Sequence, residues 1–228
     1  QTVASASYSD SKSISTDNQL LQLWSAAHLE IQEYPIIWRG RLSLKNEEVF
    51  VNMHYVSGNQ DLLKICMSVI SEQQVALTNI ATSSNSLGSC MTTDAIAPTH
   101  QPLKIVQRMR LEASQLEGVQ RKLRQLNDFC MCLTLAAAPP QTSDASLTNE
   151  QIRMNRILCD GFIKYMLEKC AAGIINVCHP CTQQNMYVIH IFPPCEFSRC
   201  QLQGYAPALY HSLEENPIPH VLTVITTV

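Results

Sequence analysis

The chain has 228 residues, 46% of them apolar, and a formal net charge of −3. That is ordinary material for one globular core without staples. The charge balance excludes a protein that grips nucleic acid or anionic membrane by overall basicity, so any anion site must come from local clustering. No apolar run approaches the roughly 20 residues of a membrane helix. The opening QTVASASYSDSKS lacks the apolar stretch of a signal peptide and starts with Gln, which reads as a fragment of a longer protein.

Residues 1–17 are polar and aperiodic and read as a flexible Ser/Thr-rich leader to a domain spanning 18–228. Leu20, Leu23, Trp24, Ala27 and Ile31 then fall at helical spacing across 18–33, with Asp17 or Asn18 as N-cap. The period changes to two at Trp38, where Gly40, Leu42 and Leu44 alternate with Arg39, Arg41, Ser43 and Lys45. We expect NEE to turn the chain into a second strand carrying Val49, Val51, Met53 and Tyr55. The first strand would then show three cations on its polar face. Residues 60–100 open on an apolar stretch that fits helix or strand plus helix. They end in a polar insertion near 78–101.

The spacing of Met109, Ala113, Leu116, Val119 and Leu123 predicts one helix over 105–123. DFCMCLTLAAA reads as a buried strand and 139–150 as a second polar insertion. The longest helix is expected over 149–172, closed by Gly173 as its C-cap. GIINV, MYVIHIF and VLTVITTV are strands, with a short helix near LQGYAPALYHSL before the last. The fold class is α+β, with a curved or closed sheet and helices covering its ends.

Ten cysteines raise the question of a framework or a metal. Most have apolar neighbours, as in FCMCLTLAAA, and no Asn-x-Ser/Thr site occurs, so they read as small core residues in a reducing setting. Cys178 and Cys181, followed by Cys195 and Cys200, approach the spacing of a four-cysteine zinc ribbon. The second pair is not a clean knuckle, however, and MYVIHIF lies between the pairs. We assign no metal and no cofactor. Seven glycines form no phosphate loop or nucleophile elbow, and His54 and His190 sit inside strands as structural residues; no enzyme is expected.

Among the cations, Tyr165 and Lys169 are i,i+4 neighbours on one helix face. Arg108 and Arg110 flank Met109. Spacing alone does not join these groups.

Five segments in order resemble the SPOC domain, the C-terminal module of the Split ends (Spen/SHARP) family of transcriptional corepressors. They are YPIIWRGRLSLKN, MHYVSGN, IVQRMRLEASQLEGV, EKCAAGIINV and YVIHIFPPCEFS. The resemblance implies a distorted seven-stranded β-barrel framed by helices. It implies a nuclear interaction module that binds the acidic tail of corepressors of the SMRT and NCoR class, strengthened by phosphoserine. Related SPOC domains read the phosphorylated RNA polymerase II tail. RNA would be handled only by other domains of the full-length protein.

Position by position, the resemblance places phosphopeptide binding at Arg108, Arg110, Tyr165, Lys169 and Lys45. Arg39 and Arg41 make the first strand more basic than the family pattern, and we expect them to widen the acidic-peptide surface. The two long insertions and the CHPC segment are further departures. A nucleic-acid-binding barrel is the alternative, against which stand the pI and the lack of a Lys/Arg stripe.

Overall fold

A computed structural model describes residues 31–82, 101–140, 142–143 and 146–228. The leader, most of the helix expected over 18–33 and most of the first insertion lie outside the described residues. The described part is built on one sheet. Strands β1 (Ile36–Leu44) and β2 (Glu47–Gly58) form the expected hairpin. The turn falls one step earlier than expected, at Lys45 and Asn46, because Leu44 registers with Glu47 and both glutamates belong to β2. The region after β2 resolves as helix α1 (Gln60–Thr82).

The segment expected to be helical from 105 divides. It opens with two short strands, β3 (Leu103–Ile105) and β4 (Gln107–Arg110), and only then enters α2 (Ala113–Leu123). β5 (Phe129–Ala136) follows, and then α3 (Leu147–Arg156), a π-helical stretch (Ile157–Ile163) and α4 (Lys164–Glu168). The chain ends with β6 (Ala171–Cys178), β7 (Asn185–Phe192), α5 (Glu196–Tyr205), α6 (Pro207–Glu215) and β8 (His220–Thr227).

The sheet order is β3-β1-β2-β5-β8-β7-β6-β4. Its two edge strands are consecutive in the chain, β3 pairing with β1 and β4 with β6. One kinked segment, 103–110, therefore ties both ends of the sheet together and nearly closes a barrel. Counted as one strand, it reconciles eight strands with the expected seven. The kink has a local cause. Val106 N–H donates to Ile174 O, opposite which Gln107 is registered, so two residues face one and the strand bends as at a β-bulge.

Burial on both faces explains the near-continuous apolar run of β5, whose eight residues are all buried and whose Thr134 hydroxyl bonds that of Thr223 at 2.7 Å. Cys130, Cys132 and Ala136 point into the barrel with Leu42, Val51, Phe162 and Ile189. Phe129, Met131, Leu133 and Leu135 point outward, under a layer formed by α2, α5 and α6. Each such side chain stabilises the fold by roughly 1.5–3 kcal/mol through burial. Gly173 is not the cap of a helix. It lies within β6, where an added Cβ would come within 2.9 Å of Ile105 Cγ2. Its missing side chain lets β3 pack over β6. The left-handed corner after α4 is taken instead by Cys170, at φ 45°.

Candidate anion-binding site at the barrel seam

The site begins with the pairing of β4. Arg108 registers with Gly173 and Arg110 with Ala171, so neither arginine meets an acidic side chain across the ladder. Both are exposed. They stand on a strand rather than at the start of a helix, which puts them on one face by the two-residue period.

The second wall is the end of α4. Tyr165 lies one turn before Lys169, whose N–H donates to Tyr165 O at 3.2 Å. Cys170 then turns the chain into β6, and its carbonyl accepts the Leu111 N–H at 2.9 Å. That bond ties the helix end to the end of β4. It brings Arg108, Arg110 and Lys169 around one shallow depression, whose other lining residues are Val106, Gln107 and Ala171. Among the described residues no carboxylate lines it.

Lys45 completes the cluster from the β1–β2 turn. Its φ of 56° is the left-handed region, unfavourable for a residue with a Cβ. From there its Nζ sits 3.8 Å from the centroid of the Tyr165 ring. The Arg108 guanidinium carbon lies 5.6 Å from the same centroid. Both distances are within cation–π range. The ring is half-buried and packed on the core, so it acts as a fixed post between two cations. Of the five residues the resemblance names, Lys45 and Arg108 lie over the Tyr165 ring, and Arg108, Arg110 and Lys169 line the adjoining depression.

Charge around these groups is uneven. Arg110 reaches Glu112 at 3.3 Å, with both side chains mostly exposed, a pair of the kind that contributes little. Arg108 and Lys169 have no ion pair among the described residues. On the far side of Tyr165 a second depression mixes signs, with Lys45 and Lys164 beside Glu47, Asp160 and Glu168. Here the π-helical stretch passes close to the hairpin, since a Cβ on Gly161 would lie 2.9 Å from Glu47 Cγ. The anion-binding potential is thus concentrated on the β4 side of the ring.

Other expected residues fall elsewhere. Arg41 is held at 3.0 Å by Glu48 of the neighbouring strand. Arg39 borders a separate groove between β1 and α1, with Trp38, Lys64, Met67, Ile70 and Leu103. Lys45 does not share their strand face, because it lies in the turn, and Ser43 is buried. The two cysteine pairs sit at opposite ends of β7, whose eight residues span roughly 26 Å. Cys178 donates to Asn185 Oδ1, and the backbone N–H groups of Cys181 and Thr182 donate to His179 Nδ1, so CHPC builds a turn. Cys195 opens α5, its N–H donating to Ser198 Oγ. Among the described residues no three His, Cys, Asp or Glu gather as metal ligands. His190 is buried against Val224 O, and burial pushes its imidazole down to about 4, a neutral structural group.

Two features escape sequence reasoning. Val106 is 63% exposed in the lining of the basic depression, an apolar contact beside the cations. The bulge that presents it is set by pairing with β6, a non-local cause. The only sequence signal is the apolar residue standing two before Arg108.

Comparison with known proteins agrees with this architecture. The SPOC domain family matches residues 28–228. The chain is 38% identical over 198 residues to the Msx2-interacting protein of Mus musculus, covering 87% of this chain and 4% of that protein. It is 34% identical over 198 residues to Protein split ends of Drosophila melanogaster, covering 87% of this chain and 3% of that protein. RNA-binding protein 15 of Mus musculus is 30% identical over 185 residues, 79% of this chain and 17% of that protein. The chain therefore spans a small part of each relative's length.

Proposed function

The chain belongs to the SPOC-domain family, and from that premise we propose that it is a protein-interaction module of a nuclear transcriptional corepressor. Its ligand is an acidic, phosphoserine-containing peptide of the kind found in SMRT- and NCoR-type tails or the phosphorylated RNA polymerase II tail. The observation that carries the reading is the convergence of Lys45 and Arg108 on the Tyr165 ring, beside a depression lined by Arg108, Arg110 and Lys169 with no carboxylate among the described residues.

A phosphoserine brings about −1.5 to −2 charges and three strong acceptor oxygens. Arg108 and Arg110 offer planar donor forks to those oxygens, and Lys169 a compact charge. Burying a phosphate here needs no displacement of a strong internal ion pair. Val106 supplies the apolar contact that separates a peptide from a free phosphate.

Each charge-assisted bond contributes roughly 1.5–3 kcal/mol, and about 1.4 kcal/mol is tenfold in affinity. Paired acidic peptides, with and without phosphate on one serine, test the reading against wild type and Arg108→Ala/Lys169→Ala. We expect phosphate-dependent binding that falls by about a hundredfold or more in the double variant. Equal binding by both proteins would falsify the assignment.

A further inference from the structure

The seam offers more than charge. Among the described residues β4 is the last strand of the sheet and pairs with β6 alone. In an antiparallel ladder, hydrogen-bonded and non-hydrogen-bonded pairs alternate. Leu111 N–H donates to Cys170 O, which makes Leu111, Met109 and Gln107 the residues whose backbone groups turn toward β6. Arg108 and Arg110 are then the non-bonded pairs. Their N–H and C=O groups point to the open edge, and their side chains are exposed beside it.

An open row of donors and acceptors is a template for another strand, and charges on an edge ordinarily repel one. Cations repel selectively. They turn away basic strands and admit an acidic one.

We propose that the acidic peptide binds as a strand added to the free edge of β4, bonded to the outward N–H and C=O of Arg108 and Arg110. The proposal rests on the phosphopeptide reading above and supplies its geometry. Directly opposed residues of paired strands point their side chains to the same face. Ligand side chains two positions apart therefore stand beside the two guanidinium groups and Lys169, while the residue between them faces the Met109 side. Anionic groups at i and i+2 are recognised together. Main-chain bonds supply affinity and alternate side chains supply specificity, as in other cases of strand addition.

The test is an N-methyl scan of a nine-residue acidic peptide with one central phosphoserine, read by fluorescence anisotropy on the wild-type domain. N-methylation removes one amide donor and leaves the charge intact. Losses should alternate, about tenfold at every second residue near the phosphoserine and less than about twofold between them. Hydrogen exchange of the Arg108 and Arg110 amides should also slow by at least about tenfold at saturating peptide. A flat scan with unchanged exchange, while binding still needs phosphate and Arg108, overturns strand addition and leaves the phosphopeptide reading standing. Loss of phosphate dependence in the unmethylated parent overturns both.

Discussion

Arg39 and Arg41 on β1 and Arg108 and Arg110 on β4 repeat one motif, two arginines separated by a single strand residue, yet they end in different electrostatic company. β1 pairs with β2, which supplies Glu48 at 3.0 Å from Arg41. β4 pairs with β6, which supplies Gly173 and Ala171, and Arg110 reaches instead Glu112, just past its own strand, at 3.3 Å in a more exposed pair. The end of α4 then adds Lys169 and the Tyr165 ring on this side, while its Glu168 lines the depression beyond the ring. An arginine pair becomes a candidate anion site where the neighbouring strand offers nothing to neutralise it. The difference lies in what the neighbouring strand carries within reach, not in the arginines.

That contrast can be broken from either side. The larger effect should come from removing the post at the seam. Tyr165→Ala releases Lys45 and Arg108 from a shared ring, and we expect phosphopeptide affinity to fall by about tenfold, measured by calorimetry. Tyr165→Phe keeps the ring and should stay within about threefold of wild type, which separates ring from hydroxyl. A much smaller effect is expected from the other arginine pair. Arg39→Glu/Arg41→Glu should change affinity by less than about threefold at 0.15 M salt, with the residue vanishing as salt is raised. A large, salt-sensitive loss there would mean that β1 widens the peptide surface and that the two regions act as one.

Parts of this fold were legible because their causes are local. Alternation from Trp38 to Leu44 and from Val49 to Tyr55 identifies the hairpin, and the mostly apolar stretch 129–136 identifies a buried strand. Residues 105–110 misled for a physical reason. Met109 continues the helical stripe of Ala113, Leu116, Val119 and Leu123, yet the edge of β6 recruits 107–110 into the sheet instead. Gly173 invited a reading as a helix cap, whereas its role is to leave room for Ile105. The π-helical stretch has no signature in the residues themselves.

At the site, only the i,i+4 relation of Tyr165 and Lys169 was legible from spacing. Arg108, Arg110 and Lys45 were joined to that pair by resemblance, because a ring between a hairpin turn and an edge strand is a tertiary arrangement. Val106 was invisible for the same reason. Its exposure depends on a bulge imposed from the neighbouring strand.

The most direct test of the central claim is residue-by-residue chemical shift mapping as an acidic phosphoserine peptide is titrated into the isotope-labelled domain. The account predicts shifts concentrated at Lys45, Val106 to Arg110 and Tyr165 to Lys169, with Trp38, Arg39 and Met67 quiet. Shifts concentrated in the groove between β1 and α1, with Arg108 and Lys169 silent, would contradict it.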